Sequence, residues 1–354
     1  LRKERLNLTL KQIVSELLAG FISLVLTAAA FVWIIWQTIQ GFGTFGDLAL
    51  FYQAFNQGQN LARSFLQDAG KFYANNLFIG DLFEFLALEP KIKNPPNPAQ
   101  FELVQAIRVE NVSFAYPDGT RKIFTDLSLQ IPAGRVTAIV GENGAGKSTL
   151  IKLICRFYEV ENGAIKFDNQ DLRGFNLEDL RTNITVLFQT PMRFNLSVET
   201  NVRLGNINAE SNLEEIEKAA DSTGASGIIE KLPNQYSQIL GHKFPGGTEL
   251  SVGEWQWIAL ARAFYRQSPI ILLDEPTSAM DPWAEADWLN RLFTETKGKT
   301  VLLITHRFTT ARRADLIYVM ENGQIVESGN HEELLEKRGL YEKSWNEQTK
   351  AQKA

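Results

Sequence analysis

The residues best suited to chemistry are Gly141-Glu142-Asn143-Gly144-Ala145-Gly146-Lys147-Ser148, followed by Thr149. They fit G-x-x-x-x-G-K-[ST], a string whose glycines let consecutive backbone N–H groups turn inward around a polyphosphate. Lys147 is expected to reach the β- and γ-phosphates, and Ser148 to hold Mg²⁺. A second group ends an apolar run, Ile270-Ile271-Leu272-Leu273-Asp274-Glu275. Asp274 is placed to support Mg²⁺, and Glu275 to orient or deprotonate an attacking water. A third run, Val301-Leu302-Leu303-Ile304-Thr305-His306, delivers a histidine suited to touching the γ-phosphate or holding that water with Glu275. The chemistry implied is transfer of the γ-phosphoryl group of Mg·ATP to water. His242 and His331 lie among polar residues and read as ordinary surface histidines.

These groups need elements that aim them. Arg135–Val140 reads as a strand, and Lys147 to Tyr158 as a helix with Leu150, Leu153, Ile154 and Phe157 at helical spacing. The helix would add its positive N-terminal end to the glycine loop. The two other apolar runs read as buried parallel strands whose carboxyl ends carry the polar residues, where open α/β sheets bind ligands. Further strand candidates are Ile107–Val109, Leu127–Ile131, Ala164–Phe167 and Leu316–Met320, with helical stretches between several. Cys155, the single cysteine, falls in the helix after the loop and reads as a small buried apolar residue.

The chain of 354 residues has room for two domains, and its net charge of −5 offers no broad basic surface for nucleic acid. It opens on Leu1 rather than Met, which predicts a piece of a longer protein. From Leu17 to Gly46 no ionisable residue occurs, which reads as a transmembrane helix, and Arg2, Lys3, Arg5 and Lys11 ahead of it place that end in the cytoplasm. Gly41 to Asp47 breaks the helix. Leu48 to Leu66 is apolar but carries Gln53, Asn56, Gln57, Gln59, Asn60 and Arg63. A cytoplasmic ATP site requires an even number of crossings, so this stretch is expected to span too, its amides facing a bundle interior or water-filled path. A helix lying along the cytoplasmic side is the alternative. Leu77 to Leu88 reads as a short amphipathic helix, and prolines between Glu89 and Pro98 mark a boundary. The expected organisation is a partial two-helix membrane domain over residues 1–89, a Pro-rich linker over 90–100 and a nucleotide-binding domain over 101–354.

In their order along the chain these motifs resemble the nucleotide-binding domain of an ABC transporter, from about Phe101 onward. Tyr116, in Val112-Ser113-Phe114-Ala115-Tyr116-Pro117, resembles the aromatic that stacks on adenine; Gln189, in Val186-Leu187-Phe188-Gln189, resembles the glutamine that touches Mg²⁺ and links the site to the membrane helices. Asp281, in Ser278-Ala279-Met280-Asp281, resembles the aspartate at the dimer interface. The family signature Leu-Ser-Gly-Gly-Gln reads here Leu250-Ser251-Val252-Gly253-Glu254. Ser251 and Glu254 are spaced as a capping box for a helix running to Tyr265. In the family this helix end faces the γ-phosphate held by the opposite subunit, which implies binding roles for Ser251, Gly253 and Glu254. Val252 adds bulk, and Glu254 brings a negative charge toward the polyphosphate.

The membrane part resembles the last two helices of an exporter half, so four more are implied. The resemblance implies an α/β P-loop NTPase, an ABC ATPase domain with an antiparallel β subdomain and a helical subdomain, preceded by α-helical transmembrane segments. It also implies ATP and Mg²⁺ as ligands, a second half-transporter subunit, a lipid bilayer, an unread transported substrate, and a plasma-membrane location with the ATPase cytoplasmic. Three functions are set against each other. They are an ATP-driven exporter, a soluble ABC ATPase acting on nucleic acid or ribosomes, and a regulatory subunit that binds ATP without turning it over. The apolar Leu17–Gly46 stretch argues against the second, and Glu275 with His306 against the third.

Overall fold

The computed structural model describes residues 2–353 apart from Phe42, Gly43, Asp118, Thr120, Ser211, Ser278, Ala279 and Asp281. The chain divides into two units, Leu1–Pro90 and Lys91–Ala354.

The first unit is a helix pair, α1 (Arg2–Ile39) and α2 (Phe45–Leu86). Among the described residues one stretch, Gly20–Ile39, is long and apolar enough to cross a membrane. Thr44 caps α2: its hydroxyl accepts the Asp47 N–H at 3.3 Å, and the Asp47 carboxylate accepts the Thr44 N–H at 2.9 Å. The expected separate helices Leu48–Leu66 and Leu77–Leu88 are one continuous helix of 42 residues. Nothing between them stops it, because one glycine, Gly70, costs only about 1 kcal/mol in a helix and the next proline is Pro90. At about 1.5 Å per residue α2 is roughly 63 Å long, twice a hydrocarbon core of about 30 Å. One of its amides meets α1. Gln59 Nε2 donates to Ser23 Oγ and Thr27 Oγ1 of α1, each at 3.1 Å, the kind of polar bond that ties helices in lipid.

The second unit begins with the hairpin β1 (Ala106–Ala115) and β2 (Lys122–Pro132). Then come β3 (Val136–Gly141), α3 (Lys147–Ile154), β4 (Asn162–Phe167), β5 (Gln170–Asp171), α4 (Leu177–Thr182) and β6 (Ile184–Leu187). Helices α5 (Val198–Arg203), α6 (Leu213–Thr223), α7 (Ser226–Ile229) and α8 (Val252–Tyr265) follow. The chain then returns through β7 (Ile270–Asp274), α9 (Pro282–Glu295), β8 (Thr300–Ile304), α10 (Phe308–Ala311), β9 (Leu316–Glu321) and β10 (Gln324–Gly329), and ends with α11 (His331–Glu336) and α12 (Leu340–Lys353).

Two sheets result. An antiparallel one is ordered β2-β1-β4-β5, and a six-stranded one β10-β9-β3-β8-β7-β6, parallel except for the β9–β10 pair. The alternation of a strand's side chains explains how β7 and β8 are buried on both faces. Ile270, Leu272, Leu302 and Ile304 enter one core with α3 and the antiparallel sheet, whereas Ile271, Leu273, Val301 and Leu303 enter another with α9 and the C-terminal helices. Helix α8 is apolar nearly all round for a related reason. Trp255, Ile258, Ala261 and Tyr265 pack into a third, all-helical core, while Ala259 and Leu260 face the main sheet. The sheet, antiparallel subdomain and helical subdomain implied by the family resemblance are all present.

Several boundaries differ from expectation. Helix α3 stops at Ile154 rather than Tyr158, with Cys155 as its C-cap. Cys155 is 2% exposed, and burial pushes its thiol up to about 12, so it packs rather than reacts. Two strands lie outside the expected set, β6, which is only four residues long, and β10, whose residues are mostly exposed or half-buried. His331 is not a plain surface residue. Its Nδ1 lies 2.8 Å from the Tyr341 hydroxyl and its ring packs edge-on against Trp345, because α11 folds back on α12.

Candidate active site

Four neighbouring strands of the main sheet end at one place. Strand β3 runs into the glycine loop, β6 leads to Gln189, β7 ends in Asp274 and passes to Glu275, and β8 leads to His306. The ladder continues into these residues: the Glu275 N–H donates to Ile304 O at 2.9 Å, and the Thr305 N–H to Ile139 O at 3.1 Å. Backbone pairing therefore sets the spacing of the polar side chains.

The loop depends on glycine at two points. Gly141 has φ +150°, and a Cβ there would lie 2.0 Å from Met320 O; Gly146, with φ +105°, would press a Cβ to 2.5 Å from the Phe124 ring. Only glycine holds that path, and it starts α3 with Lys147. Lys147 is 6% exposed, and its Nζ donates to Gly141 O and Glu142 O, both at 2.8 Å. Burial lowers its pKa, against the attraction of Glu275 and Asp274.

Gly141, Glu142, Asn143, Gly144, Gly146, Lys147, Ser148 and Thr149 line a cleft of about 900 Å³ together with Gln189, Glu275 and His306. Ala145 is buried behind the loop. Glu275 Oε2 accepts Gln189 Nε2 at 2.9 Å and lies 3.4 Å from His306 Nδ1. Its backbone is in the left-handed region, φ +48°, a conformation that costs a non-glycine residue on the order of 1 kcal/mol and is found at functional sites. Asp274, 4% exposed, accepts the Ser148 hydroxyl. This pair, beside Gln189, is an all-oxygen donor set that suits a hard divalent cation. Among the described residues no group of three or more His, Cys, Asp or Glu could hold a metal by itself, so the remaining ligands would be phosphate oxygens and water.

Burial raises the Asp274 carboxyl above its ordinary 3.8, with Glu275 adding to the shift and Ser148 and Lys147 opposing it. The folded protein therefore binds more protons than the unfolded chain between 3.8 and the raised value, and stability falls as pH climbs through that window. Asp274→Asn keeps an acceptor for Ser148 and removes the buried charge. It is expected to raise the melting temperature of nucleotide-free protein at neutral pH, flatten the fall in stability, and abolish any added stabilisation by Mg²⁺ with ATP. Thermal melts from about pH 4 to about pH 7 check all three.

Not every candidate converges on the cleft. The Tyr116 ring is edge-on to Phe114 and Tyr158, and its hydroxyl lies 3.0 Å from Thr149 Oγ1, so it flanks the loop without lining the cleft. Ser251, Gly253 and Glu254 start α8 at the surface. Ser251 Oγ accepts the Glu254 N–H at 3.3 Å and Glu254 Oε2 accepts the Ser251 N–H at 2.8 Å, a complete capping box. Val252 beside them is 58% exposed. Asp281 lies outside the described residues. Residues that sequence reasoning missed also line the cleft, namely Ser344, Glu347 and Gln348 of α12. No motif marks them, since only folding brings a C-terminal helix to the end of β8.

Residues 124–278 match the family model described as ABC transporter. The chain carries an ABC transporter nucleotide-binding domain. This ABC domain is similar to ABC transporter B family member 24, mitochondrial, of Arabidopsis thaliana, at 43% identity over 244 residues, 69% of this chain and 35% of that protein. It is also similar to the subtilin transport ATP-binding protein of Bacillus subtilis, at 33% identity over 84% of this chain and 48% of that protein. The structure of a bacterial Atm1-family ABC exporter with ATP bound superposes with a TM-score of 0.72 and 30% identity, over 93% of this chain and 57% of that one. The chain thus spans about half or less of the curated relatives it matches.

Proposed function

We propose that this chain belongs to an ATP-driven membrane exporter, and that its ABC domain pairs with a second half-transporter subunit to bind and hydrolyse two Mg·ATP. Its organisation is read as a partial two-helix membrane domain, a Pro-rich linker and the ATPase. The observation that carries the hydrolytic reading is the cleft in which Glu275 is bonded to Gln189 and set against His306, facing the glycine loop.

In this reading the loop amides and Lys147 bind the β- and γ-phosphates, and Tyr116 flanks the adenine side. Glu275 takes the proton of the attacking water at its carboxylate while His306 holds the γ-phosphate side, and Gln189 reports occupancy toward the membrane helices. Ser148, Asp274 and Gln189 would hold Mg²⁺, which when bound neutralises charge on the phosphates. Ser251, Gly253 and Glu254 sit at a surface helix end suited to meeting the nucleotide of the opposite subunit, and the family resemblance assigns Asp281 to that interface. The basic start of the chain supports a plasma-membrane orientation with the ATPase in the cytoplasm. The cargo and the choice between homodimer and heterodimer are left open.

Mg²⁺-dependent ATPase of the full-length protein in lipid tests this reading, beside Glu254→Gln. The glutamine keeps the cap and removes a negative charge from a helix end that faces phosphate. Turnover is expected to hold or to rise by up to about fivefold, the equivalent of roughly 1 kcal/mol. Measured ATP binding without hydrolysis in the unsubstituted protein would instead identify a regulatory, degenerate subunit.

A further inference from the structure

His306 stands on a short irregular link between β8 and α10, and its side chain is 49% exposed. Side-chain packing alone cannot aim such a ring at Glu275, so its direction must come from the main chain that carries it. That main chain is held from two sides. On one, Thr305 Oγ1 accepts the Arg307 N–H at 3.0 Å, and the Arg307 guanidinium pairs with Glu285, whose other oxygen accepts the Thr310 hydroxyl at 2.9 Å.

On the other side is one residue of the C-terminal helix. Gln348 Nε2 donates to His306 O at 2.7 Å, and Gln348 Oε1 accepts the Phe308 N–H at 3.0 Å. One amide thus bridges the two peptide groups that flank Arg307, fixing the chain as it leaves the histidine. The helix supplying it is anchored independently. Phe308 and Tyr341 rings lie 5.2 Å apart, and the Tyr341 hydroxyl is 2.8 Å from His331 Nδ1.

We propose that Gln348 is a positioning residue for ATP hydrolysis, whose amide clamps the main chain immediately after His306 and so keeps the imidazole against Glu275. The proposal rests on the hydrolytic reading above. The chemistry required is narrow. Only an amide offers a donor and an acceptor at one end of a chain of this length. Glutamate keeps the acceptor for Phe308 but turns a second acceptor on His306 O, and methionine keeps the length and loses both bonds. A catalytic group displaced by about 1 Å costs as much as a hundredfold in rate, and partial loosening of the clamp less.

The test uses the full-length protein in lipid. Gln348→Met and Gln348→Glu are each expected to lower kcat about tenfold while KM for ATP and nucleotide affinity stay within about twofold of the parent. In a His306→Ala background the same substitutions should cost nothing further, because Gln348 acts through that ring. Amide hydrogen exchange at Phe308 should speed up in Gln348→Met with the melting transition retained. Unchanged kcat in both Gln348 variants of an active parent, with His306→Ala impaired, would overturn the clamp and leave the hydrolytic reading standing. Losses that add in full to that of His306→Ala, or that appear equally in KM, would overturn it as well. An inactive parent would overturn both readings together.

Discussion

Glu275→Gln is expected to cut ATP turnover by about 10²- to 10⁴-fold while leaving ATP affinity within a small factor of the parent. The amide has the size and shape of the carboxylate, and the 3.4 Å approach to His306 and the neighbouring Gln189 leave room for it without repacking. What disappears is the capacity to accept a proton from water. A dimer that closes on ATP and cannot cleave it should then persist, so the variant should collect in the ATP-bound, paired state. Single-turnover hydrolysis, fluorescent nucleotide titration and size-exclusion of the ATP-loaded protein report the three parts separately. Near-normal turnover would move the proton-accepting role to another group and remove Glu275 from the mechanism.

Lys147→Met should act at the earlier step. The ammonium is 6% exposed and held by two backbone carbonyls at 2.8 Å, in an environment whose burial already works against its charge. Methionine fills a similar volume without needing those carbonyls. The nucleotide-free fold should keep its melting temperature or gain slightly, since a buried charge is exchanged for an apolar chain. ATP affinity should fall about a hundredfold, because charge-assisted bonds to phosphate are worth about 1.5–3 kcal/mol each. Nucleotide titration beside a thermal melt distinguishes this from unfolding: a weaker site in a fold at least as stable is the expected pair. Retained affinity would mean the loop amides alone carry the phosphates.

The groups that local pattern could place were legible in the sequence. The glycine loop sits between a β-branched run and a helical one, and β7 and β8 each carry four consecutive apolar residues because parallel strands are covered on both faces. Asp274, Glu275 and His306 follow from where those runs stop. The capping box of Ser251 and Glu254 was legible for the same reason, being four residues long. What stayed hidden depends on distant chain. Gln348 reaches His306 across 42 residues, and nothing in its neighbourhood distinguishes it from any glutamine on an exposed helix. Tyr116 was read from its motif, but its packing on Tyr158 comes from the turn after α3. The unbroken α2 is hidden because a polar stretch interrupts its apolar pattern, although polar residues without proline do not end a helix.

The row of strand ends also bears on synthesis. Gln189 and Glu275 are 86 residues apart, and β8 is the last of the four strands to leave the ribosome. A nascent chain therefore contains the residues of its glycine loop long before the carboxylate and imidazole that face it. In the sheet β3 lies between β8 and β9, so the strand that leads into the loop gains its neighbours only when those late strands arrive, and such non-local pairing is the slow part of folding. Grip and cleavage are thus both coupled to completion of the domain: a copy truncated before β8 has the glycine loop in its sequence but neither neighbouring strand to hold it.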